Sequence, residues 1–518
     1  MFAEKVTAAL SETWSKVEDL LKKQDPEKEP YKSRYEALAL LAEARKTLEG
    51  VEAKGDAEEK ALAALDHRIG LTKVSVDERT EGSEFLVGCL GVMQKHEREF
   101  VEHLQEAWNM LGIVNFERDL TSSALEYFKL AESLYLKWKG EGIASDKHFC
   151  LTLFYMAQAY SNIGEAEVGA KYCALTLDMQ VRTKTYATHD WTQNAIQLAG
   201  FYLEKGHFGT AHNLLEAATR VLREDTGGME DLIPTGGSAG DVPANLVLGW
   251  AKFFLRLLVC SKEWKLSGGS EADRARFEIL EQEIRPELTF DTLKISPCPY
   301  LGRSALFLGF DRAREAFNEG MEHFKRALDH YKLDGWVTEH FQIIMDISAL
   351  YKALAVFEQD PHRVCVMHRK RSKRIESVVE DLNPKYFPGI WKSGLLELAD
   401  IYREIMEVKM VAGRPPKKVY RAGDLSAQFY RKFVQAFDDA EGGLEALPED
   451  DLLYYIKARF ELGRLLHKLY NVYPEKLGDR RVCMTESLEH LQWIEEFTEK
   501  HGKTTAPNRA LALPRPRR

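Results

Sequence analysis

The feature that most constrains this 518-residue chain is a recurring spacing of small residues. In residues 108–131, Trp108, Leu111 and Gly112 fall at helical intervals. After a break at Asp119–Thr121, Ala124, Phe128 and Ala131 do so again. Residues three or four apart share a helix face, so each run is one amphipathic helix with a small residue where a partner must come close. Two such helices make a hairpin that cannot bury its own apolar face and needs neighbours. The pattern returns in 153–176, with Ala157, Tyr160, Gly164 and Gly169–Ala170, and in 195–218, with Ala199, Tyr202, Gly206, Phe208 and Ala211. The small position stands at 112, 157 and 199, intervals of 45 (157 − 112) and 42 (199 − 157). Three hairpins in register predict an all-α stack of helix pairs.

The W-x-x-L-G and A-x-x-x-F spacings are similar to the tetratricopeptide repeat. Asn115 stands where that repeat has Tyr, no proline occurs near position 136, and the interval exceeds the usual period of about 34. The hairpins therefore have longer helices or loops. With 45% apolar residues the chain can build a sizeable core. Seven dispersed cysteines without a C-x-x-C pair read as reduced thiols of a cytoplasmic protein. The start is amphipathic and charged throughout, unlike a signal peptide. The most apolar stretch, 246–260, is short and carries Lys252 and Arg256, which makes it a buried helix before a membrane span. A net charge of −10 argues against a general nucleic-acid binder and suits an acidic surface or a basic partner.

Read in order, helices are expected over 2–24 and 31–48, then a charged loop over 50–60. The Gly/Pro-rich stretch 225–243 breaks the pattern, and the helix after it, 244–264, is apolar almost all round. This divides the chain into an N-terminal hairpin half (1–224), a loop with connector helix (225–266) and a C-terminal hairpin half (267–502). A disordered tail (503–518) follows. A second loop is expected at 267–272. Helices of the C-terminal half are expected over 306–331, 336–357, 361–379, 391–410, 419–437, 451–470 and 480–500. Asn383–Pro384 sets a tight turn at 381–386, because a residue before proline avoids the helical region.

A search for chemistry points away from an enzyme, a metal or a cofactor. Gly502-Lys503-Thr504 follows a helix and has Phe497 where a phosphate-binding loop needs glycine. His362, Cys365 and His368 are too widely spread around one helix to converge on an ion, and Arg363, Arg369, Lys370, Arg371, Lys373 and Arg374 would repel it. That basic run reads first as a solvated face, with an anion contact or an import patch as alternatives. The working surface of a solenoid is its concave side, lined by the first helix of each hairpin. The sites facing it are Phe154, Tyr155, Gln158, Ser161 and Asn162, then Gln193, Ile196, Gln197 and Gly200. They offer flat contact area and adaptable hydrogen bonds. No Lys/Asn/Arg clamp for a peptide carboxylate stands among them.

Longer motifs carry a closer resemblance. Residues 25–33 read DPEKEPYKS. Asp334–His340 reads DGWVTEH, Ser348–Glu358 reads SALYKALAVFE, and Asp381–Tyr386 reads DLNPKY. In this order they resemble the KIF-binding protein family over most of 2–500. The resemblance implies a right-handed tetratricopeptide-type α-solenoid in two halves. It also implies a monomeric, cytoplasmic, cytoskeleton-associated binding protein without membrane insertion, nucleic acid or cofactor. Its groove would clamp kinesin motor domains and block their attachment to microtubules. Tyr155, Gln158 and Gln180, the last in the turn after the second hairpin, match groove contacts of the family; Gln197 stands where the family has Thr. Asp381, Leu382, Asn383, Pro384, Lys385 and Tyr386 match a second contact loop. An acidic groove would compete with tubulin for a basic motor surface. Two departures stand out: the family's last helical segment is replaced by a Pro/Arg tail, and its acidic loop has no counterpart near 297–302. The alternative function is a generic tetratricopeptide-like adaptor for another helical or peptide partner.

Overall fold

The computed structural model describes residues 2–50, 55–225, 241–268, 289–296, 307, 309–438, 448–472 and 477–501. The heart of the Gly/Pro-rich stretch (226–240), the loop at 269–272, the region 297–302 and the tail 503–518 lie outside the described residues. Within them the chain is all helix, with no strand. The first ten helices are α1 (Phe2–Lys22), α2 (Lys32–Glu49), α3 (Asp56–Ser75), α4 (Arg79–Lys95), α5 (Val101–Glu117), α6 (Thr121–Trp138), α7 (Asp146–Asn162), α8 (Ala166–Thr183), α9 (Thr188–Glu204) and α10 (Phe208–Asp225). Then come α11 (Asp241–Leu266), α12 (Phe310–His330), α13 (Val337–Ala355), α14 (Pro361–Asp381), α15 (Pro388–Val411), α16 (Pro416–Asp438), α17 (Glu449–Val472) and α18 (Leu477–His501).

The repeat is written in the backbone of the turns. Asp77, Asp119, Gly164 and Gly206 each follow a helix in the left-handed conformation, at φ of 68, 60, 85 and 81°. The next amide then reaches back five residues: Glu78 N to Lys73 O, Leu120 N to Asn115 O, Glu165 N to Tyr160 O and His207 N to Tyr202 O, at 2.9–3.0 Å. Such a closure satisfies carbonyls that a helix C-terminus leaves open. The turns recur at intervals of 42 (119 − 77), 45 (164 − 119) and 42 (206 − 164). The crossings follow the same register. A Cβ added to Gly112 would meet Phe128 Cε1 at 2.4 Å, and one added to Gly70 would meet Leu86 Cγ at 2.7 Å and Gly82 O at 2.9 Å. The α3–α4 hairpin was not expected from the sequence, although Gly70 and Gly82 precede Gly112 and Ala124 by the same 42 residues (112 − 70 and 124 − 82). Helix α3 also begins inside the expected loop, where Gly55 N donates to Glu58 Oε2 at 3.0 Å as a first-turn closure.

The described residues group into two compact units: 2–201 with 216–225 and 289–296, and 202–215 with everything else from α11 onward. In the first unit, Leu104, Trp108, Ala131 and Leu134 share one buried cluster with Met93 and Phe100. Burying a ring such as Phe128, which has no exposed surface, stabilises by about 1.5–3 kcal/mol. Successive first helices are pinned by polar bonds inside the apolar stack. Asn109 Nδ2 donates to His148 O at 2.8 Å, and Thr152 Oγ1 donates to Asn109 Oδ1 at 2.8 Å. Buried amides left unpaired are costly, so these bonds fix how α7 is set against α5.

In the second unit, α11 packs against α12 and α13, with Gly320 of α12 placed against Phe254. By length and composition α11 is apolar enough to cross a membrane, yet 56% of its apolar window is buried inside the protein. Its all-round apolar character is explained by neighbours on more than one side. The basic run on α14 departs from a solvated face at one residue. Arg371 has no exposed side chain. Its Nη2 donates to Glu397 Oε1 at 2.7 Å, Nη1 to Glu404 Oε2 at 2.5 Å and to His368 Nδ1 at 2.7 Å, and Nε to Ser348 Oγ at 2.9 Å. Arg371 falls on the face with Cys365, His368 and Ile375, which are all buried, so it must be paired inside. The flanking cations lie on rings, Arg363 over Phe310 and Arg374 over Tyr351.

Candidate functional site

Where α7 and α8 cross, the contact residues are small. A Cβ on Gly169 would come within 2.6 Å of Ser161 Oγ and 3.1 Å of Ala157 O. Ala157, Ala166, Gly169 and Ala170 send no long side chain into the space above the crossing, and α9 closes it on the other side. The result is an open cavity of about 610 Å³ lined by α7, α8 and α9. Its polar groups are the amides of Gln158, Asn162, Gln180, Asn194 and Gln197 and the hydroxyls of Ser161 and Thr176. Phe154, which is 42% exposed, and Phe201 supply aromatic area.

The lining holds no Asp, Glu, Lys, Arg or His. The acidic groove expected for competition with tubulin is therefore not what this cavity presents. Its one thiol, Cys173, is pushed up to about 11 by burial and stays protonated. What the arrangement can do is bind: neutral amides donate and accept in either orientation, and they shed water at less cost than ions.

Six of the sequence-derived positions come together here: Phe154, Gln158, Ser161 and Asn162 from α7, Gln180 from α8 and Gln197 from α9. Gln180 sits in the last turn of α8, within the helix rather than in the turn after it, and its carbonyl caps that helix through Thr185 N at 3.1 Å. Asn194, which the sequence reading did not single out, lines the cavity one turn before Gln197. Its signal was the i, i+3 spacing on the same face. Gln193, Ile196 and Gly200 are not among the lining residues.

Tyr155 is not among them either. Its ring stacks on Phe128 at 5.7 Å, meets Phe116 edge-on at 6.1 Å and abuts Phe154 at 5.4 Å. Burial, with Glu117 nearby, raises its phenol pKa. Tyr155 is thus packed between the second hairpin and the first, behind the exposed ring of Phe154.

The 381–386 turn belongs to the second unit. Asn383 Oδ1 accepts Lys385 N at 3.0 Å, and Asn383 O accepts Tyr386 N at 3.1 Å. This closes the turn locally, as an asparagine before proline favours. Leu382 is buried and anchors it. Asp381, Asn383, Pro384 and Lys385 are exposed, and Tyr386 is 79% exposed. A second cavity in this unit, of about 430 Å³, includes Lys392, Glu397, Asp400 and Phe437. Three of its four ions are already engaged: Lys392 lies 3.7 Å over the Phe437 ring, Glu397 holds Arg371, and Asp400 accepts Tyr430 Oη; Asp451 is the fourth. Among the described residues no group of three or more His, Cys, Asp or Glu is placed to hold a metal.

Comparison with known proteins follows the same lines. The profile of the family described as KIF-1 binding protein C terminal matches residues 189–510. The chain is similar to the KIF-binding protein of Gallus gallus, 30% identical over 92% of this chain and 90% of that one. It is 28% identical to the Homo sapiens KIF-binding protein, with the same coverage of both chains. A solved structure described as a cryo-EM map of KIFBP shares the fold, with a TM-score of 0.58 at 23% identity, covering 96% of this chain and 100% of that one.

Proposed function

The chain belongs to the KIF-binding protein family, and on that premise we propose that it is a non-enzymatic protein that binds kinesin motor domains and keeps them off microtubules. The α7–α9 groove is the main contact in this reading, and the 381–386 turn is a second, separate one. The observation that carries the reading is the convergence of Gln158, Gln180 and Gln197, far apart in sequence, on one uncharged cavity.

A cavity of this kind suits a helix of the partner. Amides can meet its polar side chains, and Phe154 and Phe201 can cover its apolar face. A motor helix held there is unavailable to the track, so inhibition needs no chemistry. Tyr155 acts behind the surface by bracing Phe154. Charge enters only at the turn, through Asp381 and Lys385. A cytoplasmic, cytoskeleton-associated protein working as a monomer agrees with this role.

Co-sedimentation of a kinesin motor domain with microtubules tests it. Added protein should leave the motor in the supernatant. The double variant Gln158→Ala, Gln180→Ala should weaken motor binding by about tenfold or more and return the motor to the pellet. A motor that pellets equally well with and without the wild-type chain would end the reading.

A further inference from the structure

We infer that residues 289–296 form a strap that sets the α8–α9 spacing, with Phe290, Leu293 and Arg220 as positioning residues for the groove. The inference rests on the reading of that groove as the motor-binding site.

The segment reads TFDTLKIS and makes a single 3₁₀ turn, Asp291–Leu293. Its two buried apolar side chains are Phe290, with no exposed surface, and Leu293, at 8%. Phe290 and Lys294 flank the turn in the left-handed conformation, at φ of 43 and 49°. A bulky aromatic avoids that region, so the surroundings must hold Phe290 in it.

Two helices do the holding, and one of them is tied to a third. The Phe290 ring meets Trp191 of α9 edge-on at 5.8 Å. Arg220 of α10 donates from Nη1 to Leu293 O and from Nη2 to Ser296 Oγ, both at 2.9 Å. Its Nε is meanwhile fixed by Glu216 Oε1 at 3.0 Å. Trp191 in turn donates its indole N–H to Leu177 O on α8 at 3.1 Å. Leu177 lines the groove, and so does Asn194, one turn beyond Trp191 on α9. The chain of contact runs from the strap through Trp191 to both walls that carry Gln180 and Gln197.

One charge works against the strap. Asp178 of α8 is 7% exposed and paired with Arg182 at 2.8 Å. Burial raises its pKa, Arg182 opposes the rise, and the like charge of Asp291 on the strap adds to it. Loosening and tightening variants are therefore both available.

Hydrogen exchange of the full chain, free in solution, is the first arm. Phe290→Ala and Arg220→Gln should raise exchange in 177–204 while leaving α3–α6 as in wild type. Arg220→Lys, which keeps one donor, should fall between, and Asp291→Asn should slow exchange in the same stretch. Motor-domain affinity is the second arm, and loosening should lower it by about tenfold, an ordinary size for coupling between two sites. Unchanged exchange in 177–204, or an equal rise along the whole first unit, overturns the strap. So does raised exchange with unchanged affinity, if Gln158→Ala, Gln180→Ala does weaken the motor. If that groove variant binds the motor like wild type, the proposed function fails instead, and the exchange arm alone decides the strap.

Discussion

Along the groove between α7, α8 and α9, the polar groups are neutral amides open to water and two hydroxyls bonded to carbonyls of their own helices. Among α13, α14 and α15, a guanidinium is sealed from solvent between two carboxylates, a histidine and a serine. Both regions break the simple scheme of apolar inside and charged outside. Open amides can trade water for a partner at small cost, so they suit a surface that must bind and release. A sealed ion cluster cannot make that trade, because losing either sign of the pair strands a charge. The first region is suited to recognition and the second to holding a fold.

The contrast is broken most strongly at Arg371. Arg371→Ala should destabilise the second unit by about 3–5 kcal/mol in denaturant unfolding, since Glu397 and Glu404 lose their buried counter-charge. Arg371→Ala together with Glu404→Gln should recover part of the loss. A cost typical of a surface salt bridge, below about 1 kcal/mol, would return Arg371 to the solvated face.

The next effect belongs to the crossings of the first unit. Gly112→Ala drives a methyl into the buried Phe128 ring and should cost about 1–3 kcal/mol. Gly200→Ala has open space around the new Cβ on an exposed helix face and should gain about 0.5–1 kcal/mol through helix propensity. Unfolding of the two variants side by side checks both signs. Equal shifts would mean that close approach is not what selects glycine at 112.

Acid should act in two stages, first on buried histidines of both units, since burial also lowers His323 and His368 of the second to about 4, and then on a carboxylate of the second. Burial lowers His67 to about 3, with His103 and Arg68 adding to it, and burial also lowers His103 and His148. A histidine held neutral in the fold binds protons only when unfolded, so stability falls as pH drops below about 6.5, by up to about 1.4 kcal/mol per pH unit for each. Glu106, raised by burial, offsets a little of this. In the second unit, burial opposes ionisation of Glu404, but Arg371 and Lys352 pull it down to about 2. Its contribution is present above about 4.5 and is lost only as pH falls further toward 2. Denaturation midpoints at mildly and strongly acidic pH should separate the stages. His67→Phe should flatten the first, and an unchanged slope would remove His67 from it.

The smallest effect is on salt. The weakening caused by Gln158→Ala, Gln180→Ala should change less than about twofold between low and high ionic strength, because no ions line the groove. The effect of Asp381→Asn should shrink as salt rises. A strongly salt-dependent groove would mean that charges beyond its lining govern binding.

The small-residue register, Trp108, Gly112, Ala124 and Phe128, foretold the hairpins, their turns and the helical fold. These are consequences of local spacing and close approach, which a sequence displays directly. The same register held α3–α4 in Gly70 and Gly82, where no Trp or Tyr drew notice. Gln158, Gln180 and Gln197 could be named from the chain, but nothing local said they would share a cavity while Tyr155, three residues from Gln158, would pack behind it. Nor did the basic run reveal which of its six cations turns inward.

The amino-acid order by itself determined that the chain folds into helical hairpins and where several of them must touch. Only the tertiary structure decided which polar groups are wet, which are sealed, and that 289–296 returns to lie against Trp191 and Arg220. The reason is physical: helix periodicity and turn geometry are set by neighbours in the chain. Burial and the pairing of charges depend on neighbours in space, which the fold brings together from distant positions.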